Sequence, residues 1–157
     1  MKPEHNEDRI AGEVATLNKR SRLLIPASVR KATTWLKGTD PIPLIAELVP
    51  DRQMRLHPAD RAAPFIDRLR ASLIENLASS TDSLAALADR YRPVTFYPSD
   101  TQVHLGESIA LHLQPLPSPL QHFYVETIGA YIHVMTLEQR AERLARLQDE
   151  LALEYPR

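Results

Sequence analysis

The sequence contains no cysteine, so neither a disulfide framework nor thiolate chemistry is open to it. That absence fits a reducing compartment. Only four glycines occur in 157 residues, and they form no Gly-rich phosphate loop. A Gly-x-Ser-x-Gly nucleophile elbow is missing as well. No apolar run approaches the length of a membrane span. The opening Met1-Lys2-Pro3-Glu4-His5-Asn6 is polar, without the apolar centre of a signal peptide, and sets the expectation of a cytoplasmic protein. With 43% apolar and 25% charged residues, the composition is that of a globular chain. Its length suits one domain, or two small ones sharing a core.

Charge of one sign is missing locally. Between Glu13 and Asp40 there is no acidic residue, while Lys19, Arg20, Arg22, Arg30, Lys31 and Lys37 fall in that stretch. From Pro93 to His133 the reverse holds: no Lys or Arg occurs, only Asp100, Glu107 and Glu126 with His104, His112, His122 and His133. A formal net charge of −1 excludes a uniformly basic nucleic-acid binder, so any anion binding must come from uneven distribution. The first stretch has that unevenness; the second does not repeat it at neutral pH.

What is present reads as strands and helices in a repeated order. Val14 and Thr16, then Leu23-Leu24-Ile25 after the turn Asn18-Lys19-Arg20-Ser21, predict a strand pair that Pro26 ends, since proline cannot donate to a ladder. Ser28 to Leu36 predicts a short helix with Gly38 as its C′ residue. Ile42 to Val49 and Met54 to His57 predict a hairpin across the turn Pro50-Asp51-Arg52-Gln53. Residues 59–92 read as helical: Pro64 suits a first turn, Phe65, Leu69, Leu73 and Leu77 follow in steps of four, and Ser79-Ser80-Thr81-Asp82 breaks the run and caps a second helix carrying Tyr91, closed by Pro93. Val94 to Tyr97 and Gln102 to Gly106 predict a second strand pair. Glu107 to Leu113 fits either a helix or a strand. Pro115, Pro117 and Pro119 mark a loop, followed by strands at Phe123-Glu126 and Tyr131-Val134 around Gly129. Thr136-Leu137-Glu138-Gln139 has the form of a capping box that opens a last helix. At an offset of about 80 residues, Asn18 aligns with Asp100, Arg22 with His104 and Leu23 with Leu105, with Gly106 one step earlier than Pro26.

The segment Asn18-Lys19-Arg20-Ser21-Arg22-Leu23-Leu24-Ile25-Pro26-Ala27-Ser28-Val29-Arg30-Lys31 resembles the motif of the SpoVT/AbrB-like swapped-hairpin family: a polar turn, Gly-Arg, aliphatic residues, Ile-Pro, then a short basic helix. Asn18 stands for the usual Asp and Ser21 for the usual Gly. The duplicated order, with helices between the copies and after the second, is similar to the MraZ family. The second copy, Asp100-Thr101-Gln102-Val103-His104, keeps the Asp and lacks the Gly and Arg. The resemblance implies an α+β, mainly β fold. In it, two tandem AbrB-like swapped-hairpin repeats form a pseudo-twofold, barrel-like unit. Residues 12–58 would be the basic repeat, 59–92 a helical connector, 93–135 the degenerate repeat and 136–154 a C-terminal helix. It also implies a transcriptional regulator that binds double-stranded DNA, is nucleoid-associated and forms a homo-oligomer. Arg22, Arg30 and Lys31 carry over as DNA-binding positions. Lys19 and Arg20 in the turn join them on charge, because guanidinium forks suit phosphates and guanine edges and Lys suits phosphates.

A plainer reading makes these cations a solvated face, or places Arg22 in a salt bridge within the hairpin. The four histidines lack the spacing that sets two ligands on one helix face, so no metal and no cofactor are expected. Asp149-Glu150 with Arg143 and Arg146 reads as helix-surface charge pairing, and no enzyme is expected. Two rival functions remain at this level. One is an antitoxin or assembly adaptor with a protein partner; the other is a module that has lost DNA binding and keeps only oligomerisation.

Overall fold

The computed structural model describes residues 10–76, 81–115 and 120–154. Residues 1–9, Leu77 with the Ser79-Ser80 part of the helix break, and Pro117 and Pro119 of the proline loop lie outside them. Eight strands close one antiparallel barrel: β1 (Ala11–Asn18), β2 (Arg22–Leu24), β3 (Ile42–Val49), β4 (Gln53–Pro58), β5 (Tyr91–Tyr97), β6 (Gln102–His104), β7 (Leu120–Thr127) and β8 (Ile132–Thr136). Around the barrel they run β1-β2-β6-β5-β3-β4-β8-β7. Helices α1 (Ala27–Ala32), α2 (Ala59–Glu75), α3 (Thr81–Arg90), α4 (Glu107–Leu113) and α5 (Leu137–Glu154) connect and cover them. The fold is therefore α+β. Among the described residues the helices hold more of the chain than the strands, so "mainly β" is corrected: it fits the core and not the chain.

Period-two alternation puts one face of each strand inside. In β4, Met54, Leu56 and Pro58 point in, while Gln53, Arg55 and His57 lie on the outer face. Leu17, Leu23, Ile25, Leu44, Phe96, Val103, Phe123 and Ile132 join Met54 and Leu56 in one continuous core. Truncating Phe123, fully buried at its centre, would cost about 3–5 kcal/mol by the usual scale of core deletions.

The ladder partners are mostly distant in sequence. β1 meets its neighbour β2 at Leu17↔Leu23, but it pairs along its whole length with β7, from Ala11↔Thr127 to Asn18↔Leu120. β5 pairs likewise with β3, from Ile42↔Phe96 to Glu47↔Tyr91. At Gly12 a side chain would run into the Tyr124 ring, with a Cβ only 2.0 Å from its hydroxyl oxygen, so glycine here lets Tyr124 cross β1 under the Arg140 guanidinium.

Several sequence readings need correction. The helix expected over Ser28–Leu36 is split: α1 stops at Ala32, Thr33 turns extended with its hydroxyl on the Val29 carbonyl, and a 3₁₀ turn takes Thr34–Leu36. The adjacent β-branched Thr33 and Thr34 explain the break, since their hydroxyls compete with the helix ladder. Pro64 is not in a first turn but inside α2, because the helix starts at Ala59 directly after Pro58. Tyr91, Arg92 and Pro93 belong to β5, where cross-strand pairing with β3 overrides the helical pattern. Glu107–Leu113 is helix.

The alignment through the second strand pair also shifts. The Ile25 amide donates to the Thr101 carbonyl and the Leu105 amide to that of Ser21, matching Ser21 with Thr101 and Ile25 with Leu105. Pro26 and Gly106 then occupy the same place, each as N-cap of the following helix. Gln102, not His104, stands where Arg22 does, because these bonds fix the match and Asp100 is not the counterpart of Asn18. His104 instead lies directly across the ladder from Arg22. The capping box at Thr136 forms as read: Gln139 Oε1 accepts from the Thr136 amide at 2.8 Å, and Thr136 Oγ1 from the Gln139 amide at 3.1 Å.

Ser21 sits at φ 62°, in the left-handed region that glycine occupies without strain. Replacing it, Ser21→Gly, relieves that strain while adding unfolded-state entropy, for a net gain of about 0.5–1 kcal/mol, whereas Ser21→Val lowers stability. Urea denaturation of the three proteins measures both signs.

Candidate functional site

The turn between β1 and β2 is organised from within. Asn18 Oδ1 accepts from the Arg20 amide at 2.9 Å and the Arg22 amide at 3.2 Å, so a short polar side chain does the work of a backbone turn. Lys19 and Arg20 extend from this turn and are exposed; Arg22 on β2 is half-buried. Pro26 starts α1, whose last turn carries Arg30 and Lys31 where cations complement the helix C-terminus. Among the described residues, none of Lys19, Arg20, Arg22 and Lys31 has an ion-pair partner. The hairpin salt bridge for Arg22 is thus not formed. Arg22 does lie close enough to Asp100 to act on it. Burial pushes the Asp100 carboxyl up, but the hydrogen bond with His104, the Gln102 amide and the charges of His104 and Arg22 together hold it below the usual carboxylate range.

Arg30 is partly engaged, donating from Nη1 to the Ile25 carbonyl. Lys37 Nζ donates to the Arg30 carbonyl at 3.0 Å and also reaches that of Lys31, closing the end of α1. Arg30, Lys31 and Lys37 line one open cleft of about 300 Å³, whose far side is Phe96, Pro98 and Thr101 from β5 and the following turn. Among the described residues, no acidic side chain lines it. The structure therefore brings Arg30 and Lys31 together and adds Lys37, while Lys19 and Arg20 stand on the β1–β2 turn at the other end of β2. Lys37 belonged visibly to the acid-free stretch; its position beside Arg30 depends on the 3₁₀ turn, which helical spacing did not reveal.

The histidines are spoken for one at a time. His104 contacts Asp100 and stacks on Tyr97, His112 Nε2 lies 2.9 Å from the carbonyls of Val49 and Gln53, His122 faces Thr16, and His133 sits between Gln53 and Glu126. Among the described residues, no group of three His, Cys, Asp or Glu is placed to hold a metal ion. No helix there is long and apolar enough to cross a membrane.

Two carboxylates on the outer barrel face escaped the sequence reading. Glu126 on β7 receives both Arg143 nitrogens, at 2.7 and 2.8 Å, with His133 Nδ1 at 3.4 Å. Glu47 on β3, only 6% exposed, contacts His57 Nε2 at 2.9 Å, Arg90 Nη2 at 3.0 Å and Arg55 Nη1 at 3.6 Å. Burial alone would raise Glu47; the bonds to His57 and Arg90 and the charge of Arg55 outweigh it and hold the carboxyl low. Alternation along β3 and β4 placed Glu47 and Arg55 on one face, but the partner Arg90 comes from a helix whose docking no spacing rule gives.

Comparison with protein-family models returns no match, and comparison with curated proteins returns none either.

The Arg143 bonds, and then those of His133, hold Glu126 down at about 2 against an ordinary 4.5, despite its burial. A carboxylate with a lowered folded pKa contributes stability above its unfolded value and loses it as pH falls through the folded one. This pair therefore contributes on the order of 2–3 kcal/mol at neutral pH, fading between pH 4.5 and about 2. In Glu126→Gln that part of the acid dependence is expected to vanish, with lower stability at pH 7. Thermal unfolding from pH 2.5 to 7 shows the difference.

Proposed function

We propose that this chain is a DNA-binding transcriptional regulator of the MraZ/AbrB type that acts through the basic edge of its first half. The observation that carries this reading is that Arg30, Lys31 and Lys37 line one cleft in which, among the described residues, no acidic side chain takes part, while Lys19, Arg20 and Arg22 precede it on the β1–β2 turn and β2. Cations arranged along an edge bind the phosphate backbone and set register, while an Arg standing up from a strand reaches base edges. In this reading the barrel is two tandem AbrB-like swapped-hairpin repeats interlocked about a pseudo-twofold axis. The long β1–β7 and β3–β5 ladders support it, as do the reciprocal Ile25–Thr101 and Leu105–Ser21 bonds. Double-stranded DNA is the partner, the nucleoid of the cytoplasm the place of action, and no catalytic step or cofactor is assigned.

The second half contributes little to binding in this reading. Gln102 replaces Arg22, and Glu107 opens α4 where Ala27 opens α1. Its DNA contact would therefore be one-sided within each chain, and a homo-oligomer supplies further basic edges. Helix α5 supports self-association, because Leu144, Leu147 and Leu151 stand 38%, 45% and 55% exposed on it. The same leucines favour the rival reading, an oligomerising or antitoxin-like module without DNA binding.

Duplex DNA affinity measured across salt concentrations separates the two. A regulator loses affinity steeply with salt, and Arg22→Ala with Arg30→Ala together reduces the slope by about 2. Absence of binding even at low salt, from a folded oligomer, would establish the rival instead.

A further inference from the structure

The cluster around Glu47 borders a cleft with a chemistry of its own. The cleft measures about 320 Å³, and Glu47, Arg55, His57, Arg61, Phe65 and Tyr91 line it. That is a small-molecule volume, with a polar floor and an aromatic wall. It lies over β3, β4 and β5, away from α1, which packs on β1 and β7.

Its charge does not balance. Among the described residues Glu47 is the single acid in the lining, against Arg55 and Arg61 in the wall and Arg90 bonded to it from α3. Glu47 already holds His57 and Arg90, with Arg55 Nη1 at 3.6 Å. Arg55 is left with a buried Nε that has no acceptor, although its guanidinium rests over the Tyr131 ring at 5.5 Å. Arg61, exposed on α2, has no ion-pair partner among the described residues. A buried donor without an acceptor is costly, and the Arg61 side chain lines the same cleft with a fork that no carboxylate in the described residues engages.

The other glutamate shows how the cleft arises. Glu126 lies between Gly12 and His133 in the sheet, and Arg143, the seventh residue of α5, closes over it. Glu47 lies between Tyr91 and Arg55, and the seventh residue of α2 is Phe65. Where α5 supplies a cation that bonds the carboxylate, α2 supplies a ring that packs edge-on against Tyr91 at 6.3 Å and forms one wall of the cleft.

We propose that this cleft binds a small organic anion with an aromatic body, its carboxylate or phosphate held by Arg55 and Arg61 and its ring against Phe65 and Tyr91. The aromatic wall selects the body and the two guanidiniums select the charge. The site stands independently of the DNA reading, because its test contains no nucleic acid.

The test titrates phenyl phosphate, and separately inorganic phosphate, into the full chain followed by amide-resolved NMR. Phenyl phosphate is expected to shift amides of residues 55–65 and 91 saturably, with a Kd on the order of a millimolar or tighter for so few atoms. Arg61→Ala, an exposed position that leaves the core intact, should weaken it about tenfold, as expected for one lost charge-assisted contact. Phe65→Ala should weaken phenyl phosphate while leaving inorganic phosphate unchanged. Arg55→Gln should do as Arg61→Ala does where it folds. No saturable shift, equal binding of both anions by wild type and Arg61→Ala, or shifts centred on residues 19–22 and 30–37 would each overturn the proposal.

Discussion

Strand β1 finds its ladder in β7 and not in the strand that follows it, and the whole molecule hangs on that pairing. Its eight register pairs, with the matching β3–β5 ladder, mean that neither half of the chain closes a sheet alone. Each half contributes edges that only the other half covers, so unpaired backbone donors and acceptors disappear when the barrel closes. The interior then fills with residues from both halves: Leu17, Leu23 and Leu44 beside Phe96, Val103 and Phe123. Contacts so distant in sequence cost loop-closure entropy before they stabilise, which makes closure cooperative.

Closure also decides where charge can go. With the inner face apolar, every titratable side chain on a strand is driven to the outside, and alternation selects which ones share a patch. Glu47 and Glu126 occupy matching outer positions and meet different helices. One receives Arg143 from α5; the other receives Arg90 from α3 and borders a cleft walled by Phe65. The turn before β2 and helix α1 carry the acid-free stretch elsewhere on the barrel, with Asn18 and Lys37 fixing its two ends through backbone bonds. One duplicated order of elements thus carries two unlike surfaces, a cationic edge and an aromatic-walled cleft.

Much of this was legible from residues. The turn at Asn18, the stop at Pro26 and the capping box at Thr136 and Gln139 are local chemistry, and each was readable because one side chain or one missing N–H determines it. Barrel closure was only implied by resemblance, since pairing partners so far apart leave no local trace. Tyr91 and Pro93 read as the end of a helix because the ladder to β3 that makes them strand is non-local. Matching Asn18 with Asp100 displaced the alignment by two residues, so His104 was matched with Arg22 when it faces Arg22 across the seam. The cations at 19, 20, 22, 30 and 31 were legible as one acid-free stretch of sequence, yet the place of Lys37 beside Arg30 and the whole Glu47 cluster required tertiary docking.

The central claim is that the cationic edge of the first half, and not the second, meets DNA. Amide NMR spectra recorded while a duplex oligonucleotide is titrated into the full chain test it most directly. The account predicts perturbations concentrated on residues 19–22 and 27–38, with residues 102–113 largely unmoved. Perturbations spread equally over both halves, or centred on α5, would contradict it.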